Sequence, residues 1–122
     1  MTKLFKLLAG FVIAIFAVGS LTACSSTPVD MATVAAVIDV RTPGEYATGH
    51  LEGSLNYDIQ GSEFDAQIAS LDPSADYVIY CRSGNRAGQA ITYLQDAGFT
   101  GTLTNAGGVD AAASVTQLPI VY

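Results

Sequence analysis

The feature that most limits how this chain can fold is a strand-like run joined by a short loop to a helix-like run. Tyr77–Cys81 reads YVIYC, and its β-branched and aromatic residues favour a buried strand. The loop Arg82–Arg86 follows, and from Ala87 small and apolar residues recur at helical spacing until Gly98, which fits a helix end. A strand followed so closely by a helix is typical of α/β domains with parallel strands.

The remainder of the chain continues this alternation. Further strands are predicted at Val34–Val40, within Gly53–Ile59 and at Thr102–Thr104, and further helices at Pro43–Thr48, after an N-cap at Ser62, and at Val109–Ala113. We therefore expect an α/β domain with a largely parallel central sheet. In such sheets ligands bind beyond the carboxyl ends of the strands, which is where Cys81 is expected.

The amino terminus has the pattern of an export signal. Two lysines precede an apolar run of 13 residues, Leu7–Gly19, which is short for a membrane span. Leu21–Cys24 then reads LTAC and resembles the lipobox of bacterial lipoproteins, in which the cysteine becomes the lipidated first residue. We expect residues 1–23 to be a lipoprotein signal peptide and Cys24 to be lipidated. The alternatives are an ordinary cleaved signal peptide or a single membrane anchor.

Export defines the expected domain organisation and location. Residues 24–33 are small and polar and are predicted to be a tether, so that 34–122 would form a single domain. Ser25 after the lipidated cysteine favours an outer-membrane lipoprotein that faces the periplasm, with inner-membrane retention as the alternative. We expect a monomer attached to the membrane through Cys24.

The charge that would remain after export restricts the possible partners. Both lysines lie in the predicted signal peptide, so three cations, Arg41, Arg82 and Arg86, would face eleven acidic residues, giving a net charge of −8. Such an acidic domain is not expected to bind nucleic acid. Two of its three cations lie in the loop after Cys81, which suggests a local need for positive charge.

Cys81 would be the only free thiol of the exported protein. Cysteines in oxidising compartments normally pair, and an unpaired one is exposed to oxidation. This favours a functional thiol over an inert buried one. A helix amino terminus and two guanidinium groups nearby would favour the thiolate, which is the reactive form. The candidate binding residues around it are Arg82, Ser83, Gly84, Asn85 and Arg86. The alternative is a plain turn with solvated arginines.

Three segments resemble one known family. VIDVRTPGEYATGHLEGSLN, VIYCRSGNRAGQA and NAGG occur in this order and are similar to the rhodanese domain, over about residues 35–110. The form is similar to exported single-domain members. The resemblance implies a three-layer α/β/α fold with a mostly parallel sheet. It also implies an active-site loop between a strand ending at Cys81 and a helix from about Ala87.

The resemblance further implies a thiosulfate sulfurtransferase. Cys81 would take the sulfane sulfur of thiosulfate, release sulfite and pass the sulfur from a persulfide to cyanide or a thiol, without a metal or an organic cofactor. The loop amides would hold the persulfide, and Arg82 or Arg86 would hold the anionic substrate. One alternative is a sulfur-carrier or redox-partner module whose real donor or acceptor is a protein or small thiol. Another is a binding module with an inactive site.

The length of the loop separates sulfur transfer from phosphoryl transfer. Cys81 to Arg86 is C-x4-R, whereas the related dual-specificity phosphatases resemble C-x5-R, which makes a wider cradle. Position 87 is Ala, so the longer spacing is absent. The sequence therefore favours sulfur over phosphate.

The flanking motif residues are assigned structural roles. Arg41 is predicted to pair with Glu45, with a contribution to the pocket entrance as the alternative. His50 has no clustered partners with which to bind a metal. Asn105–Gly108 is predicted to be a turn that backs the active-site loop. Many rhodanese domains carry a Trp shortly after the paired glycines, but this chain has none. We therefore expect its carboxy-terminal packing to differ, with a tail that either packs across the domain or lies loose.

Overall fold

The computed structural model describes residues 27–122, so the predicted signal peptide, Cys24 and Ser25 lie outside the described residues. The strands are β1 (Val34–Asp39), β2 (His50–Leu51), β3 (Leu55–Asn56), β4 (Asp76–Tyr80), β5 (Leu103–Asn105) and β6 (Ile120–Val121). The helices are α1 (Pro43–Ala47), α2 (Phe64–Ala69), α3 (Asn85–Asp96) and α4 (Val109–Thr116). None of the helices in residues 27–122 is long and apolar enough to cross a membrane.

The main sheet has four strands in the order β3-β1-β4-β5, and every neighbouring pair is parallel. Its two central strands are the most apolar, and Ile38 lies opposite Ile79 while Asp39 lies opposite Tyr80. This arrangement confirms the predicted parallel α/β sheet. All four carboxyl ends meet at one edge, and the loop after β4 begins there.

Hydrophobic clusters cover both faces of this sheet. Successive residues of β4 alternate between them, so that Ile79 packs with the residues of α2 and α3 while Val78 packs with Ala112 of α4. The first cluster is centred on Phe64, Ile68 and Leu94, all at most 4% exposed. Helices therefore lie on both sides of the sheet, as the three-layer prediction requires.

The carboxy-terminal tail packs across the domain. β6 pairs antiparallel with β2, so that Leu51 lies opposite Ile120, and Ile120 packs against the second cluster. α4 forms in the segment without the family Trp and runs three residues beyond the predicted end at Ala113. Its small Ala112 is fully buried against the sheet.

Several predicted boundaries were wrong by a few residues. β4 ends at Tyr80 and α3 begins at Asn85, because Gly84 turns the chain with a left-handed φ of 95° and so acts as the N-cap. Ser62 does not cap α2, because Glu63 occupies the N-cap position and is itself in a helical conformation.

The predicted tether also packs on the domain before Val34. The Val29 N–H donates to the Val115 carbonyl oxygen over 2.8 Å, and both Val29 and Met31 contact the second cluster. The chain is therefore fixed to the domain several residues earlier than the sequence predicted.

Candidate active site

The loop between β4 and α3 curls around the sulfur of Cys81. The side chain is fully buried, and the backbone N–H of Cys81 donates to the Gly107 carbonyl oxygen over 2.9 Å. The Gly84 N–H turns back and donates to Cys81 Sγ, also over 2.9 Å. The predicted nucleophile therefore lies inside a ring of backbone atoms at the carboxyl edge of the sheet.

Two opposed effects act on the Cys81 thiol. Burial raises its pKa because water is removed from the charged form, but the surrounding backbone N–H groups stabilise the thiolate and lower it further than burial raises it. The net pKa lies below the ordinary value for cysteine. The Gly84 N–H donates to Sγ directly, and the backbone N–H groups of Ala87, Ser83 and Arg86 also lower the pKa. This surrounding favours an anionic sulfur, either a thiolate or a persulfide.

The Asn105–Gly108 segment supports the loop from behind, as predicted. Asn105 Nδ2 donates to the Gly84 carbonyl oxygen over 2.9 Å, and its Oδ1 accepts from the Gly107 N–H over 2.9 Å. The contact with Gly108 is especially close, because a Cβ there would lie 2.4 Å from the Arg82 carbonyl oxygen. Only a residue without a side chain fits against the loop at this point.

Glu45 pairs with Arg86, so the predicted Arg41–Glu45 pair is wrong. Arg86 Nη1 donates to Glu45 Oε1 over 2.7 Å, and Nη2 donates to Oε2 over 2.9 Å. These hydrogen bonds from Arg86 lower the pKa of the Glu45 carboxyl to about 2, despite its partial burial. The guanidinium of Arg86 is thus held in a two-point fork.

Arg41 instead pairs with Asp39, two residues earlier. In extended chain, residues two apart project to the same side, so the Asp39 carboxylate lies closer than that of Glu45. Arg41 Nη2 donates to Asp39 Oδ2 and to the Gly49 carbonyl oxygen, each over 2.7 Å. Asp39 is fully buried and Arg41 is 5% exposed, so this pair belongs to the frame of the site.

Arg82 lies at the mouth of an open pocket next to the loop. The pocket has a volume of about 680 Å³, and its lining includes Arg41, Glu45, Thr48, Arg82 and Asp110. Within residues 27–122, Arg82 is the arginine that forms no ion pair, and its side chain is exposed. The sequence alone did not separate Arg82 from Arg86, but their surroundings differ clearly.

Other predicted residues contribute less directly. The side chains of Ser83 and Asn85 are exposed, and Asn85 Oδ1 accepts from Gln89 Nε2 over 3.4 Å. Ser83 stabilises the charged sulfur through its backbone N–H. His50 stacks on Tyr46 with ring centroids 3.6 Å apart, and its Nδ1 lies 2.9 Å from the Tyr46 carbonyl oxygen. These contacts agree with the structural role assigned to His50.

Sequence reasoning missed the part that Glu45 plays. The Thr42-x-x-Glu45 spacing is a capping-box signal that would have identified Glu45 as a helix-capping residue. Its pairing with Arg86, 41 positions later, leaves no local pattern.

Comparison with known proteins identifies the family of the domain. The sequence profile of the rhodanese-like domain matches residues 27–114. A sulfurtransferase of Allochromatium vinosum is 36% identical over 85 residues, which cover 70% of this chain and 77% of that protein. The thiosulfate sulfurtransferase PspE of Escherichia coli is 33% identical over 72 residues, which cover 59% of this chain and 68% of that protein.

Solved structures show the same architecture. A rhodanese with anions from E. coli aligns with a TM-score of 0.58 at 30% identity, over 70% of this chain and 95% of that one. A rhodanese-like domain of the Alr3790 protein from Anabaena aligns with a TM-score of 0.60 at 29% identity, over 71% of this chain and 98% of that one. With the profile match, the relatives and the fold in agreement, this chain belongs to the rhodanese-like domain family of sulfurtransferases.

Proposed function

We propose that this protein is a thiosulfate sulfurtransferase that works through a persulfide on Cys81. The observation that carries the proposal is the position of Cys81 Sγ, which lies at the carboxyl edge of the sheet within a ring of N–H donors. These donors stabilise an anionic sulfur both before and after the transfer. The family membership and the relatives named as thiosulfate sulfurtransferases support the same reaction.

The reaction balances in two displacement steps. The Cys81 thiolate attacks the outer sulfur of thiosulfate, the S–S bond of thiosulfate breaks, and its electron pair leaves with sulfite. Cys81 then carries a persulfide whose outer sulfur is attacked by cyanide or a thiolate. The persulfide S–S bond breaks, thiocyanate or the acceptor persulfide departs, and the Cys81 thiolate is restored.

The surroundings of the two loop arginines support different roles. Arg82 is exposed at the pocket, so its guanidinium is available to bind the sulfonate oxygens of thiosulfate. Arg86 is already held by Glu45, which favours Arg82 as the residue that meets the incoming anion.

The proposal includes the location of the protein. The LTAC segment and the preceding apolar run support a lipoprotein anchored through Cys24, and Ser25 favours the periplasmic side of the outer membrane. The physiological acceptor would then be a thiol of that compartment. Mass spectrometry of the mature protein would report the lipid on Cys24 directly, and an unmodified amino terminus that begins elsewhere would contradict this part.

The central experiment compares the wild type with Cys81→Ser. The wild type is expected to release sulfite from thiosulfate, gain the mass of one sulfur atom on Cys81, and form thiocyanate when cyanide is added. Cys81→Ser should do none of these, because the hydroxyl cannot form a persulfide. Full turnover by the serine variant would disprove the mechanism. Sulfur uptake that is much faster from a persulfidated thiol than from thiosulfate would instead favour the sulfur-carrier function.

A further inference from the structure

Glu45 ties the first helix to the active-site loop. Within α1 its Oε1 accepts from the Thr42 N–H over 3.3 Å and from Thr42 Oγ1 over 3.1 Å, while its own N–H donates to Thr42 Oγ1 over 3.3 Å. The same carboxylate accepts two hydrogen bonds from Arg86, over 2.7 and 2.9 Å. The Glu45 side chain thus caps the amino terminus of α1 and also binds Arg86 in the first turn of α3.

The Glu45–Arg86 pair is arranged to fix a geometry. The two side chains are only 28% and 20% exposed, and a guanidinium that donates two parallel hydrogen bonds to a carboxylate has little freedom to rotate. The capping contacts restrain Glu45 from the other side. Since the Arg86 hydrogen bonds keep the pKa of Glu45 at about 2, the carboxylate is charged throughout the neutral pH range.

Arg86 lies in the turn that surrounds the sulfur. It is the second residue of α3, between Gly84, whose N–H donates to Cys81 Sγ, and Ala87, whose backbone N–H lowers the pKa of the Cys81 thiol. The N–H directions in a helical turn are fixed relative to one another. A displacement of Arg86 would therefore change the direction of several donors at once.

We propose that Glu45 is a positioning residue for sulfur transfer, which acts through Arg86 to hold the first turn of α3 with its N–H groups directed at Cys81 Sγ. This role rests on the proposed function of Cys81 as the nucleophile. It assigns Arg86 to the frame of the cradle. The role can be distinguished from a simple effect of charge, because a nearby anion would raise the pKa of a thiol and its removal would lower it.

The test uses Glu45→Gln and follows the alkylation of Cys81 by iodoacetamide against pH, read on the Cys81 peptide by mass spectrometry. In the wild type the lowered thiol pKa keeps Cys81 reactive until the pH falls through that value. If Glu45 positions the donors, its replacement should move the midpoint up by about one pH unit, because the thiolate loses well-directed hydrogen bonds. The kcat/KM for thiosulfate should fall about tenfold.

Matched variants separate positioning from charge and from folding. Glu52→Gln removes the same charge from an exposed side chain between β2 and β3 and should leave the midpoint unchanged. Arg86→Lys keeps the positive charge but loses the fork, so it should reproduce the shift, and the double variant should add little to it. Thermal unfolding of each variant checks that it is folded at the assay temperature.

Two results would overturn the proposal, namely an unchanged or lowered midpoint in folded Glu45→Gln, or a wild-type midpoint in Arg86→Lys. The second variant tests the same contact if Glu45→Gln does not fold. Alkylation needs no turnover, so a failure of the proposed function is seen separately, as a wild-type Cys81 that takes no sulfur from thiosulfate.

Discussion

At the scale of single residues, the three arginines of the described domain occupy three different surroundings. Arg41 is buried against Asp39, and Arg86 is held by the carboxylate of Glu45. Arg82 is exposed at the pocket. Three residues of the same type therefore have different roles. Arg41 and Arg86 stabilise the frame of the site, while Arg82 is available to bind an anion from solution.

Replacement of Arg82 should affect binding without affecting folding. We expect Arg82→Ala to raise the KM for thiosulfate about tenfold or more, because a charge-assisted hydrogen bond contributes roughly 1.5–3 kcal/mol. The midpoint of thermal unfolding should not change, because the side chain is exposed and forms no ion pair within residues 27–122. Arg82→Lys should recover part of the loss. Steady-state kinetics of the three proteins test this, and an unaltered KM in Arg82→Ala would contradict it.

At the scale of elements, the site is an assembly of chain segments from distant parts of the sequence. β4 delivers Cys81, α3 supplies N–H donors, α1 contributes Glu45, and the turn before α4 presses on the loop through Gly108. Each segment contacts the loop mainly through backbone or through one fixed side chain. The shape of the cradle thus depends on how closely these segments approach one another.

Gly108→Ala should therefore damage catalysis more than folding. Its Cβ would lie 2.4 Å from the Arg82 carbonyl oxygen, so the loop must move, and we expect kcat/KM to fall on the order of a hundredfold. The free energy of unfolding should fall by about 1–3 kcal/mol, as in other overpacked sites. Gly53→Ala is the matched control, because it strains a left-handed φ of 80° but has no atom within 4 Å of the new Cβ. That variant should lose about 1 kcal/mol of stability and keep its activity, as kinetics and denaturant unfolding would show.

Much of this element plan could be predicted from the sequence. The apolar density of YVIYC predicts the central strand, and the helical spacing of apolar residues after the loop predicts α3. The two patterns differ because a strand buried on both faces is apolar throughout, whereas a helix buried on one face is apolar only at every third or fourth residue. The sequence predicts the start of α3 two residues late, since it does not show that Gly84 adopts a left-handed φ. It predicts Ser62 as an N-cap because that residue type is favoured there, but Glu63 occupies the N-cap position of α2.

The parts that could not be predicted depend on contacts between distant residues. Arg41 is predicted to pair with Glu45, whereas in the structure Asp39 holds Arg41 and Glu45 is taken by Arg86, 41 positions further along the chain. The sequence does not predict how the tail packs, because two-residue strands such as β6 have no periodicity to detect. The three motif segments identify the family resemblance and the candidate nucleophile. They do not show that Arg82 and Arg86 have different roles.

At the scale of the whole molecule, the charge of the domain opposes the charge of its proposed substrate. All eleven acidic residues of the chain and three arginines lie within residues 27–122. Thiosulfate is a dianion, so long-range attraction cannot bring it to the pocket. Capture must depend on the short-range field of Arg82 and of the loop donors.

This opposition predicts an unusual dependence on salt. Raising the ionic strength from about 0.01 M to about 0.15 M shortens the screening length from roughly 30 Å to roughly 8 Å, which hides the acidic surface but leaves contacts inside the pocket. We expect kcat/KM for thiosulfate to rise about twofold or more over this range. At a pH well above its midpoint, the alkylation of Cys81 by neutral iodoacetamide should stay constant and serves as the control. A fall in kcat/KM with added salt would show that the local cations already dominate at a distance.

If Cys24 carries the proposed lipid, the direction of β1 would decide which end of the domain faces the membrane. The chain packs on the domain at Val29 and enters the sheet at the amino end of β1. Cys81 lies past the carboxyl end of the parallel neighbour β4. The two ends of the sheet are about 20 Å apart, which is the length of β1 at ~3.3 Å per residue. With the proposed lipid on Cys24, the stalk up to Val29 would extend at most about 18 Å. Such a short stalk would place the amino edge of the sheet next to the bilayer and the pocket beside the Cys81 loop on the side facing solvent. A sulfur donor dissolved in the compartment would reach the loop freely. A donor embedded in the same membrane would meet the opposite edge of the sheet, away from Cys81.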